Sequence, residues 1–244
     1  MKQGLFEIEE NIPLTRNVYR MKLRGDTSAI TAPGQFVNIK LDGLFLRRPI
    51  SVCDADGDLL TLIYKVVGKG TELMSRMQGV SLDILSGLGN GYDLSPSGQK
   101  PLLIGGGVGI PPMYMTARRL IDEGKKTAVI LGFNTADEVF YEEEFRRLGA
   151  GVVVTTADGS YGKKGFVTDA VKDVSYTYFY ACGPEPMLRA VCEKTETSGQ
   201  MSFEERMGCG FGACMGCSCR TLTGSKRICK DGPVMRKEEI LWRN

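Results

Sequence analysis

The sequence predicts a multi-domain protein: an antiparallel β domain, then an α/β domain built on a parallel sheet, and a small cysteine-rich C-terminal module. Three observations predict this order. Short segments of alternating polarity, separated by Gly, Pro and Asp, fill the chain up to about residue 93. Strands that alternate with helices follow and open on a glycine-rich turn. Five cysteines then fall within residues 204–229. We expect domains at 1–97, 98–200 and 201–244.

Length and composition exclude several classes of protein. A chain of 244 residues is long enough for two domains and a tail. The 31 basic and 29 acidic residues nearly cancel and form no basic block, so no nucleic acid partner is expected. The apolar runs fall short of the roughly 20 residues that span a bilayer, which predicts a soluble protein with no membrane partner. The N-terminus lacks the apolar core of a signal peptide, so we expect a cytoplasmic location.

The first domain contains four clear strand patterns with turn residues between them. Short strands at such intervals are typical of a small antiparallel barrel or sandwich. The predicted strands are Val18–Leu23, Phe36–Ile39, Leu59–Val67 and Val80–Leu85.

One strand of this domain carries an arginine pair beside a proline and a hydroxyl. The stretch reads Arg47, Arg48, Pro49, Ile50 and Ser51. A guanidinium offers two parallel hydrogen bonds to a phosphate, and the hydroxyl can reach a ring or a phosphate nearby. An arginine on an exposed strand face is the alternative interpretation, since charged residues are mostly solvated.

A second anion-binding candidate lies where a strand enters a glycine turn. Ile63, Tyr64 and Lys65 end the strand, and Gly70 with Thr71 precedes a predicted helix. Free amides at a helix N-terminus attract a pyrophosphate. In the alternative interpretation, Thr71 simply caps the helix.

The pattern changes after the turn-like residues 95–98 to strands that alternate with helices. Leu102–Ile104 predicts a buried strand, and Met113–Glu123 predicts a helix closed by a glycine. Strand, glycine turn and helix in this order are typical of nucleotide binding, with the pyrophosphate at the helix N-terminus. The turn glycines are Gly105, Gly106, Gly107 and Gly109. Further strands are predicted at 127–133, 151–155 and 176–181, with helices at 141–148 and 184–197.

Two later strand ends add candidates, because ligands of such sheets lie at the carboxyl ends of the strands. Cys182, Gly183 and Pro184 follow one strand and are candidates for the wall of a nicotinamide pocket. A buried thiol in the core is the alternative for the cysteine. Asp158 follows another strand, with no arginine there to receive a 2′-phosphate, which favours NAD over NADP.

The C-terminal cysteines have the spacing of a metal centre. Cys209, Cys214 and Cys217 follow C-x4-C-x2-C, and eleven residues separate Cys217 from Cys229, which is the plant-type spacing of a two-iron two-sulfur cluster. The fifth cysteine of this stretch, Cys219, is then not a cluster ligand. A tetrahedral zinc site and a disulfide knot are the alternatives.

Three separated motifs resemble those of the ferredoxin reductase-like flavoproteins over about residues 5–199. The stretch 48–51 resembles the flavin-binding R-x-Y-[ST], with isoleucine in place of tyrosine; 105–111 resembles G-G-x-G-[IV]-x-P; and 182–187 resembles C-G-P-x-x-M. The resemblance implies an FAD-binding barrel followed by an NAD(P) domain. It also implies that flavin and nicotinamide carry the chemistry, which is consistent with a chain that has no histidine.

The appended cysteine module resembles that of the electron-transfer subunits of type B dihydroorotate dehydrogenases, as E-x-M-x-C-G-x-G-x-C-x-x-C over residues 205–217. The resemblance implies FAD, a 2Fe-2S cluster and NAD as cofactors. It further implies an FMN-containing, dihydroorotate-oxidising partner subunit in a heterotetramer with two copies of each. Related subunits of sulfhydrogenases and of NADH-dependent ferredoxin:NADP oxidoreductases share this architecture. A nucleotide-sensing module with a structural zinc site is the non-enzymatic alternative.

Overall fold

The computed structural model describes residues 1–242. Its N-terminal part is a closed antiparallel barrel with the strand order β1-β2-β5-β4-β3-β6. Alternating apolar residues point into the barrel and form one core, which explains the period of two in the sequence. The strands are β1 (Lys2–Pro13), β2 (Val18–Arg24), β3 (Phe36–Ile39), β4 (Arg48–Asp56), β5 (Leu59–Lys65) and β6 (Ser81–Leu88).

A short helix, α1 (Lys69–Ser75), follows β5 and packs on the barrel. The buried side chain of Asn11 holds it in place, because Nδ2 donates to the carbonyl oxygens of Met74 at 2.8 Å and Met77 at 3.0 Å. Asn11 lies on β1, so these hydrogen bonds anchor the C-terminal end of α1 to the barrel.

The second part is a seven-stranded sheet with the order β10-β9-β8-β7-β11-β12-β15, parallel except for its last strand. Helices lie between the strands, as the alternating pattern predicts. The seven strands are β7 (Pro101–Gly106), β8 (Ala128–Phe133), β9 (Gly151–Thr156), β10 (Lys163–Lys164), β11 (Tyr178–Cys182), β12 (Gly199–Ser202) and β15 (Val234–Arg236). A separate two-stranded sheet contains β13 (Ser218–Thr221) and β14 (Gly224–Arg227). The helices are α2 (Pro111–Asp122), α3 (Glu142–Arg147), α4 (Val167–Val171) and α5 (Glu185–Lys194).

The cysteine-rich segment is built into both larger parts. Its strands β13 and β14 form a hairpin, and β15 completes the seven-stranded sheet by pairing with β12. The predicted boundary between residues 200 and 201 therefore falls inside β12. The segment also packs on the barrel, where Phe36 and Leu88 share a buried cluster with Ile228 and Met235.

Direct contacts join the barrel to the α/β domain. The guanidinium of Arg118 on α2 lies 2.6 Å from the carboxylate of Asp54 on β4. The buried hydroxyl of Tyr92 donates to the carbonyl of Ala181 at 2.8 Å. The predicted fold class of barrel, parallel-sheet domain and C-terminal module is confirmed. Over residues 1–242 there is no helix with the length and apolarity that a bilayer crossing requires.

Candidate cofactor sites

Arg48 is the arginine of the barrel that is available to an anion. Its guanidinium donates only to the backbone carbonyls of Leu46 and Arg47, and no carboxylate within residues 1–242 forms an ion pair with it. Arg47 is instead occupied, because it donates two hydrogen bonds of 3.0 Å to Asp83 Oδ1. Arg47 is therefore held in an ion pair, whereas the Arg48 guanidinium remains available to an anion.

The start of α1 lies beside the Arg48 guanidinium. Arg48 lies over Gly70, where an added Cβ would stand 2.1 Å from Nε, so only glycine permits this approach. The Thr71 hydroxyl accepts hydrogen bonds from the amides of Val67 at 3.0 Å and Gly68 at 3.3 Å. Thr71 thus orders the turn that presents Gly70 beside the guanidinium.

The remaining candidates of β4 lie along the strand that follows Arg48. Pro49 pairs with Asn38, and Ser51 pairs with Phe36, both across β3. Ile50 packs partly into the barrel core. The half-buried Ser51 hydroxyl has no protein partner in the described part of the chain, so it can bond a ligand that lies along this strand.

The three candidates of β5 do not share one role. Tyr64 is buried, and its hydroxyl donates to Asn11 Oδ1 at 3.0 Å, so its ring belongs to the barrel core. Burial also raises the pKa of this hydroxyl to about 12. Ile63 lies in the core between the two domains. Lys65 lines the nucleotide cleft of the second domain.

The glycine turn after β7 has the close contacts that its composition predicts. A Cβ on Gly109 would stand 2.3 Å from the carbonyl oxygen of Cys182, and one on Gly106 would stand 2.4 Å from the sulfur of Met187. A Cβ on Gly105 would meet Ile110 at 2.8 Å. Gly107 has a φ of +52°, which glycine adopts without strain. The turn therefore brings bare backbone to the start of α2.

This turn lies at the switch point of the sheet. Strands β8, β9 and β10 lie on one side of β7, and β11, β12 and β15 lie on the other. Ligands of such sheets bind outside the carboxyl ends of the strands at that point. A cleft of about 540 Å³ opens there, lined by Lys65, Gly106, Gly107, Val108, Gly109, Gly132, Phe133, Asn134, Glu138, Thr155, Phe166, Val167, Thr168, Gly183, Pro184, Pro186, Met187, Ala190 and Glu204.

Three predicted nucleotide ligands lie outside this lining: Gly105, Cys182 and Asp158. Cys182 is only 2% exposed, and burial raises the pKa of its thiol to about 12, so Gly183 and Pro184 form the wall in its place. Asp158 lies in the turn after β9. Its carboxylate accepts hydrogen bonds from the Ser160 amide at 2.9 Å and hydroxyl at 2.6 Å, which lower its pKa.

Two carboxylates in the cleft were not among the predicted ligands. Glu138 follows β8 and accepts hydrogen bonds from the amide of Asn134 at 3.1 Å and from its side chain at 2.9 Å. Glu204 follows β12, and although its side chain opens to the cleft, desolvation by the surrounding protein raises its pKa. Glu138 could have been predicted as a cleft residue, because it is an acidic residue a few positions beyond the end of a predicted strand.

The four candidate cluster cysteines lie in two pairs. The amide of Cys214 donates to Cys209 Sγ at 3.4 Å, and the amide of Cys209 donates to Cys214 Sγ at the same distance. The amide of Cys229 donates to Cys217 Sγ at 3.4 Å. Each iron of a two-iron cluster takes two thiolates, so these pairs fit the cluster.

The electrostatics of the pairs differ. Burial raises the pKa of Cys209, but amide hydrogen bonds from Cys214, Phe211 and Ala213 outweigh it and lower this pKa to about 6. Burial and the adjacent Cys217 thiol raise the pKa of Cys229 to about 12. A metal that binds Cys229 must therefore displace its proton, whereas Cys209 is already a thiolate near neutral pH.

None of the eight cysteines forms a disulfide. Within residues 1–242 no three thiol, carboxylate or imidazole groups meet at the spacing of a site for a single metal ion. Cys219 lies on β13 opposite Lys226 and lines a second cleft of about 230 Å³.

Two family models match the parts of the chain that carry these sites. Residues 103–193 match an oxidoreductase NAD-binding domain. Residues 204–241 match the iron-sulfur cluster binding domain of dihydroorotate dehydrogenase B. The barrel, the nucleotide cleft and the cysteine pairs thus define a ferredoxin reductase-like oxidoreductase that carries FAD, a 2Fe-2S cluster and NAD.

Two similar proteins identify the family of this chain within the oxidoreductases. The electron transfer subunit of dihydroorotate dehydrogenase B (NAD(+)) from Fusobacterium nucleatum is 42% identical in an alignment that covers 96% of each chain. The subunit of the same name from a Geobacillus species is 41% identical in an alignment that covers 99% of each chain. The chain belongs to the family of dihydroorotate dehydrogenase B (NAD(+)) electron transfer subunits, and thus to the oxidoreductases.

Solved structures share the fold of this chain. The chain resembles an NADH-dependent reduced ferredoxin-NADP oxidoreductase with a TM-score of 0.88 and 31% identity, over 98% of this chain and 90% of the other. It also shares its fold with the FAD/NAD-binding domain of a nitric oxide dioxygenase from Vibrio cholerae, with a TM-score of 0.67 and 21% identity over 79% and 92% of the two chains.

Proposed function

We propose that this chain passes electrons from an FMN-containing, dihydroorotate-oxidising partner subunit through its 2Fe-2S cluster and its FAD to NAD+. The family supports the proposal, since its members are named as electron transfer subunits of an NAD(+) enzyme. In a cell, this reaction would serve pyrimidine biosynthesis.

The residues of this chain position the cofactors. Flavin exchanges a hydride with nicotinamide and single electrons with an iron-sulfur cluster, so it supplies the link between the two. Arg48, Ser51 and the Gly70–Thr71 turn would hold FAD on the barrel. The glycine turn after β7 would receive the NAD pyrophosphate at the start of α2. Cys209, Cys214, Cys217 and Cys229 would ligate the cluster.

The observation that carries the proposal is the exposure of the cysteine loop. Cys214 is exposed, and the apolar side chains of Phe211 and Met215 next to it are 45% and 57% exposed. A cluster held here lies close to the surface, where electron transfer to a second protein is possible over a short distance. We therefore propose that the loop 207–219 is part of the docking face for the partner.

The assembly that this proposal implies is a heterotetramer with two copies of each subunit. We propose the cytoplasm as its location, because cluster ligation requires reduced thiols, and these persist in a reducing compartment.

Mixing the purified chain with an FMN-containing catalytic subunit tests the proposal. We expect dihydroorotate-dependent reduction of NAD+ from the mixture and none from this chain alone. Alone, it should still oxidise NADH with artificial electron acceptors. Full dihydroorotate activity without a partner would contradict the proposal.

A second candidate keeps the cofactors and changes the partner. The likeness to an NADH-dependent reduced ferredoxin-NADP oxidoreductase over 98% of the chain favours it. Such a subunit, like that of a sulfhydrogenase, would exchange electrons with ferredoxin or sulfur. Activity restored by one of those partners, and absent with the dihydroorotate-oxidising subunit, would select this alternative.

A further inference from the structure

We propose that Asn38 is a positioning residue of the cluster site: its side-chain amide holds the peptide of Cys209 and so fixes the first cysteine of the cluster loop to the flavin barrel. The inference rests on the proposed function only in taking Cys209 as a cluster ligand. Asn38 lies in none of the motifs that identify the chain.

The contact is direct and closely packed. Asn38 is on β3, 1% exposed, and its Nδ2 donates to the carbonyl oxygen of Cys209 at 3.1 Å. A Cβ on the next residue of the loop, Gly210, would stand 2.3 Å from the same Nδ2. Gly210 also has a φ of +76°. The cluster loop therefore approaches β3 as closely as a backbone without a side chain allows.

The side-chain oxygen of Asn38 shows that this position is not optimised for barrel stability. Asn38 Oδ1 is buried and has no hydrogen-bond donor within the described residues. A buried acceptor without a partner costs free energy, and an apolar side chain of similar shape would avoid that cost. Reversing the amide would place Oδ1 against the Cys209 carbonyl, so the orientation is fixed. The residue thus provides one donor, and that donor serves Cys209.

The backbone of Asn38 connects this contact to the flavin site. The Arg47 guanidinium donates to the Asn38 carbonyl at 3.3 Å and is itself held by the Asp83 carboxylate. Arg47 immediately precedes Arg48, the phosphate ligand of the barrel. Asn38 therefore lies between the flavin-binding strand and the first cluster cysteine, and it fixes their separation.

A shift of Cys209 would also change the environment of its sulfur. The amides of Ala213 and Cys214 donate to Cys209 Sγ at 3.2 Å and 3.4 Å. Such amide hydrogen bonds stabilise the more negative, reduced cluster and so influence its potential. Without the Asn38 contact, the Cys209 peptide can move and these hydrogen bonds weaken. The cluster should then be held less tightly and should have altered spectroscopic and redox properties.

The test uses the full chain, purified without oxygen and without a partner subunit. Asn38→Leu removes the donor, and Asn38→Asp keeps the shape but cannot donate once its carboxyl is ionised. Because burial raises the pKa of a carboxyl, wild type and variants are compared at pH 9. The measurements are the electron paramagnetic resonance spectrum of the reduced cluster, its midpoint potential and the rate of iron release to a chelator. We expect both variants to release iron about tenfold faster or more, as for other residues that orient metal ligands, with altered spectrum and potential and with FAD retained.

Asn90 provides a matched control. Its side chain also joins the barrel to the C-terminal segment, by donating to the Val234 carbonyl at 2.8 Å and accepting from the Val234 amide at 3.1 Å, yet it contacts no cluster cysteine. Asn90→Leu should lower the melting temperature without changing the cluster spectrum or potential.

An Asn38→Leu protein with the wild-type spectrum, potential and iron release would overturn the proposal, as would equal changes in Asn90→Leu. If Asn38→Leu fails to fold, as shown by lost FAD, the same readouts on Asn38→Asp decide. A wild-type chain that binds no iron would instead refute the cluster assignment and the proposed function with it. Because no dihydroorotate-oxidising subunit is present, a failure confined to Asn38 leaves that function untouched.

Discussion

Arg48 lies directly over Gly70, so close that a Cβ at position 70 would stand 2.1 Å from the Arg48 Nε. Arg48 on β4 and Gly70 at the start of α1 are 22 positions apart in the chain. Their contact places a guanidinium without a carboxylate partner beside the backbone of a glycine turn. The pair is the part of the barrel best suited to bind the FAD pyrophosphate.

Replacing Arg48 by alanine should weaken FAD binding. A hydrogen bond to a charged group contributes about 1.5 to 3 kcal/mol, which corresponds to about a tenfold to hundredfold rise in the FAD dissociation constant. Flavin retained after dilution and gel filtration measures the effect. Gly70→Ala should act in the same direction, because the new methyl group displaces the guanidinium.

Arg47→Ala is the control for this prediction. Arg47 is bound to Asp83, so its loss should lower the melting temperature more than it lowers FAD affinity. Flavin binding that depends on Arg47 but not on Arg48 would reverse the assignment of the two arginines.

The cysteine ligands can be assigned by serine substitution. We expect Cys209→Ser, Cys214→Ser, Cys217→Ser and Cys229→Ser each to lose most of the bound iron and the visible absorbance of the cluster, because each removes a thiolate ligand. Cys219→Ser should keep both, since it lies outside the two pairs. Iron analysis after anaerobic purification distinguishes them. Loss of iron in Cys219→Ser together with its retention in Cys229→Ser would show that the ligand set is different.

Features encoded by local spacing were predictable from the sequence. The cysteine spacing, the glycine turn before α2 and the switch from alternating to strand-helix patterns are each contained in a short stretch of chain. The two domains and the cluster module follow from them. The β13–β14 hairpin and the pairing of β15 with β12 were not predictable, because these strands are three or four residues long and weakly patterned.

Features that depend on tertiary contacts could not be predicted. The sequence does not reveal that Arg47 meets Asp83 from another strand while the adjacent Arg48 has no such partner. It equally does not reveal that Tyr64 points into the barrel, where its hydroxyl bonds Asn11, a residue 53 positions earlier in the chain. Side chains of this kind are placed by barrel closure, which a local pattern does not encode.

Gly109 should be intolerant of a side chain. In Gly109→Ala the methyl group would stand 2.3 Å from the Cys182 carbonyl, so the backbone of the turn or of β11 must move. We expect a large loss of NADH oxidation with artificial acceptors, while the flavin and cluster spectra persist. Gly151→Ala on β9 is the control, because its Cβ has no contact closer than 4.0 Å. Equal losses in both variants would contradict a specific role for the turn.

The buried Tyr64 hydroxyl should contribute to stability. Tyr64→Phe leaves Asn11 Oδ1 without its donor, which should lower the free energy of unfolding by about 1–3 kcal/mol. Thermal unfolding of the holoprotein measures the change. The ring of Tyr19 stacks beside Tyr64, and its hydroxyl forms no hydrogen bond within residues 1–242, so Tyr19→Phe should be nearly neutral. A neutral Tyr64→Phe would show that Asn11 finds another donor.

The acidic residue that recognises the nucleotide can be identified from a pair of variants. Glu138 lines the cleft after β8, whereas Asp158 lies in an exposed turn outside that lining. A carboxylate near this strand end can accept hydrogen bonds from the ribose hydroxyls of NAD and repel the 2′-phosphate of NADP.

Glu138→Gln should therefore raise the KM for NADH severalfold and reduce the preference for NADH over NADPH. The kcat should change little, because nucleotide binding rather than hydride transfer is affected. Asp158→Asn should leave both parameters near their wild-type values. Steady-state kinetics with an artificial acceptor and both nucleotides provide the comparison. If Asp158→Asn alone changes the preference, the turn after β9 must close over the bound nucleotide, and Asp158 is the residue that reads the ribose.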